Sequence, residues 1–409
     1  MMRLTKGLSV LKKLFLLSSL LLSALVAESE LSDILSADHS QLLEYQKEKN
    51  TIQTEQLEKS WISPVILQYS KNYSTQFGGT VKTGQFVVSV DQPIFKSGGI
   101  WSAIKYAKAL GEANALDIEL QKRQLISQAL TILYNLQKSK LQLEKIRLTI
   151  DNDNLDIQIQ KESYEEGLSN RTLYDQALLK RNQDNTSKLE LELTLLKLEN
   201  DFSLLSDKNP SSIILPNFGM IKESRYLESQ LELQRDSIRV EEKKYNRYMI
   251  LAKYLPEVSV TGRYTSEDLN PLFASPNSSI KQNYFNYGFK VTLPLNINSF
   301  DDIQNSKIEY LNAKITLEEQ QKKVSNSFKL TQKRLEIIDK KIALSQEDAG
   351  HYSSMLTTAQ DLEKLGDRTS LDTQIVANSV QVRELDQEIY KVDAQLELLG
   401  LYINVADAL

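Results

Sequence analysis

Residues Phe285 to Pro294 read FNYGFKVTLP. Large apolar side chains alternate in this stretch with polar or small ones, which is the two-residue period of a β-strand. The run is about ten residues long, as a tilted strand must be to cross the apolar layer of a membrane. An ordinary soluble hairpin is the alternative interpretation of the same pattern.

Three further runs alternate in the same way, and turn or proline signals bound them. The sequence predicts four strands, at 65–75, 82–92, 257–267 and 284–293. Aromatic residues stand at the ends of both strand pairs, and Trp and Tyr are enriched where a membrane meets water. We therefore predict four membrane-interface aromatics: Trp61, Trp101, Tyr254 and Phe300.

The eight prolines leave residues 94–209 and 295–409 without a single one. Because an interior proline costs a helix about 3 kcal/mol, such stretches indicate continuous helix. The sequence predicts two long helices, over 99–165 and 299–364. It also predicts shorter helices near 29–60, 169–207, 221–253 and 368–400.

These elements form one unit used twice: helix, strand, strand, helix, helix. The predicted organisation is a signal peptide at 1–27, a first repeat at 28–209, a linker at 210–220 and a second repeat at 221–409. In each repeat the long helix is expected to reverse at a glycine, Gly167 or Gly366, because glycine readily adopts the positive φ that a reversal needs.

The N-terminus has the pattern of a secretory signal. Basic residues precede an apolar run from Leu14 to Leu22, and small residues follow, so that cleavage is expected after Ala27. The apolar run is shorter than the ~18–20 residues that a spanning helix needs. The chain is therefore expected to leave the cytoplasm.

Composition excludes several classes of function. The 409 residues include no cysteine and only two histidines, His39 and His351, so neither a thiolate site nor a histidine metal motif is expected. No nucleophile and base can be assembled, and we predict no catalytic, cofactor-binding or metal-binding residues. The net charge of -5 gives no reason to expect a nucleic acid partner.

Four strands cannot close a membrane barrel, and open strand edges are not tolerated in lipid. Two copies would supply eight strands, and side chains would fill the interior of that barrel. Three copies would supply twelve strands around a water-filled lumen. Closure alone therefore predicts a homotrimer embedded in membrane lipid.

Three short motifs lie on the expected elements in a recognisable order. They are Asp91-Gln92-Pro93-Ile94-Phe95 after the second strand, Tyr164-Glu165-Glu166-Gly167-Leu168-Ser169 at the first helical turn, and Leu365-Gly366-Asp367-Arg368-Thr369-Ser370-Leu371-Asp372 at the second. Together with the repeated element order, they make the mature chain resemble the TolC-like outer-membrane efflux and secretion channels.

The resemblance implies a mostly α fold with a small transmembrane β part. Long antiparallel helical hairpins would form a periplasmic α-barrel, and four strands per protomer would contribute to a twelve-stranded trimeric β-barrel. The protein would lie in the bacterial outer membrane with a long periplasmic extension. It would dock to a periplasmic adaptor and an inner-membrane RND or ABC transporter through its tips, at Gly167, Leu168, Ser169 and Gly366.

The resemblance also implies a periplasmic gate at Asp372, Arg368 and Thr172. Three copies of Asp372 would form a ring that attracts cations. Arg368 would latch one hairpin to its neighbour, with Thr172 as acceptor. The family's usual partners differ here, since Leu173, Glu363 and Ile375 stand where an aspartate, a tyrosine and a second aspartate are typical.

Passive export of small molecules or polypeptides is thus the leading functional interpretation, through either efflux or type I secretion. A periplasmic adaptor and a structural coiled-coil protein of the cell envelope are the alternatives. An adaptor would need a flanking lipoyl-like domain, and a coiled-coil protein would not need strand pairs with interfacial aromatics.

Overall fold

The computed structural model describes residues 34–75, 78–268 and 282–406, and the predicted signal peptide lies outside them. In the first half the elements are α1 (Ala37–Glu58), β1 (Ile66–Ser74), β2 (Val81–Phe95), α2 (Gly99–Glu165) and α3 (Arg171–Ser203). A short 3-10 turn, Pro210–Ser212, follows. In the second half they are α4 (Glu223–Glu228), α5 (Leu231–Lys253), β3 (Glu257–Glu267), β4 (Asn283–Thr292), α6 (Ser299–Leu365) and α7 (Ser370–Tyr402).

The two long helices, α2 and α6, have 67 residues each and begin at the residue that the sequence predicts. Both lack proline throughout, so that no backbone hydrogen bond of the helix is lost. The predicted fold class, mostly helical with a small four-stranded β part, is confirmed.

The single helix expected over 221–253 is wrong, because the chain breaks between α4 and α5. At the break the backbone turns to the C-terminal segment: Leu231 N–H donates to the carbonyl of Asn404 at 2.9 Å, and Ala406 N–H donates to Ser229 at 2.9 Å. These bonds replace the helical ones that a continuous helix would make there.

The second strand is longer than the sequence predicts, since β2 continues through Pro93 to Phe95. Its pairing with β1 ends at Ser89, so that beyond this residue only β3 lies beside it. The register shifts between Pro93 and Phe95. Proline, which has no backbone N–H group, is tolerated at such an irregularity on a strand with one unpaired side.

The four strands form one antiparallel sheet in the order β1-β2-β3-β4. Strands β2 and β3 come from different halves of the chain and pair in the middle of the sheet. Strands β1 and β4 are therefore edges, each paired on one side only among the described residues.

The chain forms two compact units. The strand unit consists of Tyr45–Ile118 and Glu232–Gln320, and it contains the sheet. The tip unit consists of the described residues within Met1–Glu44, Glu119–Leu231 and Gln321–Leu409, and it contains both helical turns. Buried leucines and aromatics from α2, α7 and the connecting segment form its core, including Leu130, Leu133, Tyr134, Phe218, Leu398 and Leu399.

The segment predicted as a linker is fastened to the tip unit by side chains. The backbone of Phe218 makes two hydrogen bonds with the amide of Gln395, at 2.7 and 3.2 Å. The hydroxyl of Tyr402 donates to the carbonyl of Gly219, and that of Tyr134 donates to Pro216. Phe218 itself packs against the Tyr402 ring, with 4.7 Å between the ring centroids.

None of the described helices has a stretch of sufficient length and hydropathy to cross a membrane.

Candidate functional site

The sheet has one apolar face, which follows from the strand register and the alternation of side chains. Cross-strand pairs such as Leu67–Val88, Val88–Tyr264 and Tyr264–Phe285 define it. This apolar face comprises Leu67, Tyr69, Tyr73, Phe86, Val88, Val90, Val258, Val260, Tyr264, Phe285, Tyr287, Phe289 and Val291, with Lys71 and Lys82 at one end.

Much of the apolar face is uncovered. On the edge strand β4, Phe285 is 74% exposed, Tyr287 89% and Phe289 79%. A surface of this kind on a folded chain marks contact with lipid or with another protein. The aromatic side chains of β4 therefore form an exposed stripe.

The opposite face of the same sheet is mostly polar. It comprises Gln68, Ser70, Asn72, Gln85, Ser89, Asp91, Ser259, Thr261, Arg263, Thr265, Asn286 and Lys290. On it the ammonium group of Lys290 hydrogen-bonds the carboxylate of Asp91. A sheet with one apolar and one polar face suits a boundary between lipid and water.

Two of the predicted interface aromatics, Trp61 and Tyr254, lie in connections from a helix to a strand, and the other two, Trp101 and Phe300, lie in the first turn of a long helix. Trp61 is half-buried, and its carbonyl accepts a hydrogen bond from Gln92 at 3.2 Å. Trp101 is 56% exposed and contacts the Tyr245 ring edge-on. Tyr254 donates its hydroxyl hydrogen to Asp302, and Phe300 is exposed near the start of α6.

Both helical turns have the same construction. Gly167 and Gly366 have φ values of 73° and 80°, the left-handed conformation that glycine adopts without strain. At the first turn, Leu168 N–H donates to the Ser163 carbonyl and Gly167 N–H to Tyr164; the second turn repeats both bonds with the residues 199 positions later. This is the Schellman pattern, which ends a helix and satisfies its last carbonyls.

The following helices begin with matching caps. The Asn170 side chain accepts from Leu173 N–H, and the Thr369 side chain accepts from Asp372 N–H. Thr369 also donates its hydroxyl hydrogen to the Asp372 carboxylate at 2.8 Å. Asp372 therefore lies in the first turn of α7, where a negative charge also suits the helix dipole.

The remaining predicted gate residues are not brought together within one chain. Arg368 is half-buried and Thr172 is exposed, and no hydrogen bond or ion pair joins them in the described part of the chain. Exposed leucines lie at both turns: Leu168 is 79% exposed and Leu365 75%. Ser169 is half-buried and its hydroxyl makes only a long bond to Asn170.

Polar contacts between helices near the turns were not predicted from the sequence. Asp153 on α2 is 2% exposed, and one of its oxygens accepts from the Lys180 ammonium at 2.7 Å. Burial raises the pKa of nearby Asp184, and a hydrogen bond to Asp153 acts in the same direction. Within the described ranges, no group of three or more potential metal ligands occurs.

Solved structures of outer-membrane channels share this fold at low sequence identity. VceC from Vibrio cholerae matches with a TM-score of 0.72 and 14% identity, covering 90% of this chain and 93% of its own. The CmeC outer membrane channel from Campylobacter jejuni matches with 0.73 and 13%, covering 94% and 86%. The open-state MtrE outer membrane channel from Neisseria gonorrhoeae matches with 0.70 and 11%, covering 92% and 88%.

The fold is thus that of outer-membrane channel proteins. Residues 65–202, from β1 to the end of α3, also match the family model described as outer membrane efflux protein. The resemblance to the TolC-like outer-membrane channels is confirmed, by the family model over this segment and by fold over about nine-tenths of the chain. No curated protein matches the sequence.

Proposed function

We propose that the protein is a trimeric outer-membrane channel that exports small molecules or polypeptides from the periplasm. It docks to a periplasmic adaptor and an inner-membrane RND or ABC transporter, which supply the energy. The observation that carries this proposal is the sheet, with its exposed apolar face, its polar face and its two open edges.

The open edges support assembly from several copies. Strands β1 and β4 each leave one row of backbone groups unpaired among the described residues. In lipid each unpaired group costs several kcal/mol, so that an apolar sheet must close on itself or on other copies. Three copies supply twelve strands, which enclose a lumen, whereas two supply eight and leave none.

Rows of exposed apolar side chains on two helices, α3 and α6, support the same arrangement. Leu189, Leu193 and Leu196 on α3 are exposed at spacings of four and three residues. On α6, Leu330, Ile337 and Leu344 are exposed at seven-residue intervals. These are the spacings of coiled-coil contacts, and among the residues that the structure describes no helix covers either row, so that both can pack against a helix of another copy.

The turns are the proposed docking and gating region. Leu168 and Leu365 present apolar side chains at the ends of two rigid hairpins, which suits contact with a partner's helical ends. Gly167, Ser169 and Gly366 shape the same surface. Asp372 from three copies would form the gate's acidic ring, and Arg368 would reach Thr172 of an adjacent copy.

Two substitutions on opposite faces of β4 test the channel. Phe289→Lys places a charge on the apolar face, at a cost of about 2–4 kcal/mol in the middle of a bilayer. Asn286→Lys places the same charge on the polar face. We expect Phe289→Lys to abolish recovery of the protein from outer-membrane fractions, and Asn286→Lys to be recovered and to conduct in planar bilayers.

Equal recovery of the two variants, with the protein soluble without detergent, would contradict the proposal. If neither variant is recovered from outer-membrane fractions, the sheet tolerates lysine on neither face. In that case Asn286→Gln and Phe289→Leu, which keep the character of each face, would have to restore recovery and conductance.

A further inference from the structure

Among the described residues, one charged side chain in the middle of the polar face lacks a partner. Arg263 on β3 is exposed, and no hydrogen bond or ion pair to it occurs within the described residues. Its cross-strand neighbours, Ser89 on β2 and Asn286 on β4, are both uncharged. Its guanidinium charge is therefore not balanced at its own level of the sheet.

The other charged groups on this face are engaged. Lys290 is paired with Asp91. Glu257 pairs with Lys96, with 3.3 Å between nitrogen and oxygen. Glu267 accepts a hydrogen bond from Gln85 at 3.1 Å. Arginine is costly to place in lipid, so Arg263 must face water wherever the apolar face meets a membrane.

We propose that Arg263 favours anionic solutes, those that carry carboxylate, sulfate or phosphate groups, in the part of the lumen that the sheet lines. This inference rests on the proposed function, because only three copies around one lumen bring three guanidinium groups to one level. Rings of arginine or lysine favour anions in the pores that contain them. Arginine keeps its charge at every physiological pH and also offers paired donors to a carboxylate or a phosphate.

Screening by salt sets the size of the effect. In 10 mM salt the Debye length is about 30 Å, so that three charges roughly 10 Å from a passing ion are weakly screened. The preference for chloride over potassium should then be on the order of tenfold greater than without the arginine. In 1 M salt, where the Debye length is about 3 Å, the difference should vanish.

The test is the reversal potential of the full chain in planar bilayers across a KCl gradient. We expect Arg263→Gln to lower the chloride-to-potassium permeability ratio about tenfold near 10 mM, Arg263→Glu to lower it further, and Arg263→Lys to retain it. Lys82→Gln is the matched control, since it removes one positive charge from the apolar face of the same sheet. It should leave the ratio unchanged.

The outcomes separate this inference from the proposed function. If the wild-type protein forms no conducting trimer, the proposed function fails. If it conducts but Arg263→Gln has the wild-type permeability ratio at low salt, only the role of Arg263 is overturned. An equal change in the Lys82→Gln control would overturn it as well. The reversal potential does not depend on the number of channels, so that lower yield of a variant cannot imitate the result.

Discussion

The ammonium nitrogen of Lys145 lies 2.6 Å from a carboxylate oxygen of Asp386, whose side chain is only 8% exposed. Equivalent contacts occur one heptad away on either side along α2. Lys138 pairs with Asp393 at 2.7 Å, and Asn152 accepts from Asn378 at 2.8 Å. Because α2 and α7 run antiparallel, these three polar contacts fix one register between the two hairpins of the tip unit.

Breaking the central contact should destabilise the tip unit. Lys145→Met leaves the buried Asp386 with only the Arg383 guanidinium, 3.1 Å away. We expect a loss of about 1–3 kcal/mol in the free energy of unfolding, because a buried charge loses a hydrogen bond. The measurement is chemical unfolding in detergent, followed by helical circular dichroism.

Lys161→Met is the control for that experiment. Lys161 pairs with Glu165 at 3.8 Å, and both side chains are more than half exposed, so its loss should cost less than about 0.5 kcal/mol. Equal losses of unfolding free energy for the two variants would show that the Lys145 contact stabilises the protein no more than an exposed ion pair does.

Asp184 should give the stability a characteristic pH dependence. Burial raises its pKa above the ordinary 3.8, so that the folded chain binds this proton more tightly than the unfolded one. The free energy of unfolding should therefore fall as the pH rises from about 3.8 through the raised pKa, and then level off. Asp184→Asn should remove this decline, and the exposed Asp201→Asn should retain it. A decline that persists in Asp184→Asn would assign it to another group.

Glycine substitutions distinguish the turns from the helices. Alanine at Gly167 or Gly366 must adopt positive φ, at a cost of about 1–2 kcal/mol each. Gly350 lies within α6, and a Cβ there meets nothing within 4 Å. Gly350→Ala should therefore stabilise the protein by up to about 1 kcal/mol. Thermal unfolding measures the three variants, and destabilisation by Gly350→Ala would contradict this reasoning.

The exposed leucines of the turns should matter for export and not for folding. We expect Leu168→Asp combined with Leu365→Asp to abolish complementation of a deletion strain, because the docking surface loses its apolar contacts. The amount of protein in the outer membrane should stay at the wild-type level. Ile214→Asp is the control, since Ile214 is 92% exposed in the segment between the repeats. Full complementation by the double variant would remove the docking role.

Asp372 should control ion preference at the gate. Asp372→Asn removes one negative charge per copy while keeping an oxygen that can accept from the Thr369 hydroxyl. We expect the preference for cations to decrease in single-channel recordings of the closed state. Asp361→Asn neutralises an exposed residue paired with Lys364 and should have no effect. Unchanged selectivity in Asp372→Asn would remove its assigned role.

The sequence predicts the elements well where a local rule governs them. Proline exclusion defines the long helices, alternation defines the strands, and Gly167 and Gly366 have the left-handed backbone that their positions at the turns require. Prediction from the sequence fails where contacts with a distant segment determine the local structure. The break before Leu231 depends on Asn404 and Ala406, which are remote in sequence.

Contacts between helices were likewise beyond local patterns. The sequence does not distinguish a lysine such as Lys145 from the other charged residues on the helical surfaces. Its partner on α7 is known only from the structure. The surroundings of Asp184 depend on the register of α2 against α3. The position of the turn alone predicts this register only to within several residues. That Arg263 has no charged partner in the described part of the chain is recognisable only after the pairing of β2, β3 and β4 shows which residues lie beside it.

The mass of the detergent-solubilised particle shows whether three chains assemble. Native mass spectrometry of the purified full chain should give a particle of three chains that dissociates to single chains on heating. A single chain that stays monomeric and soluble without detergent would contradict the proposed assembly, because its apolar face and its two strand edges would then be stable in water.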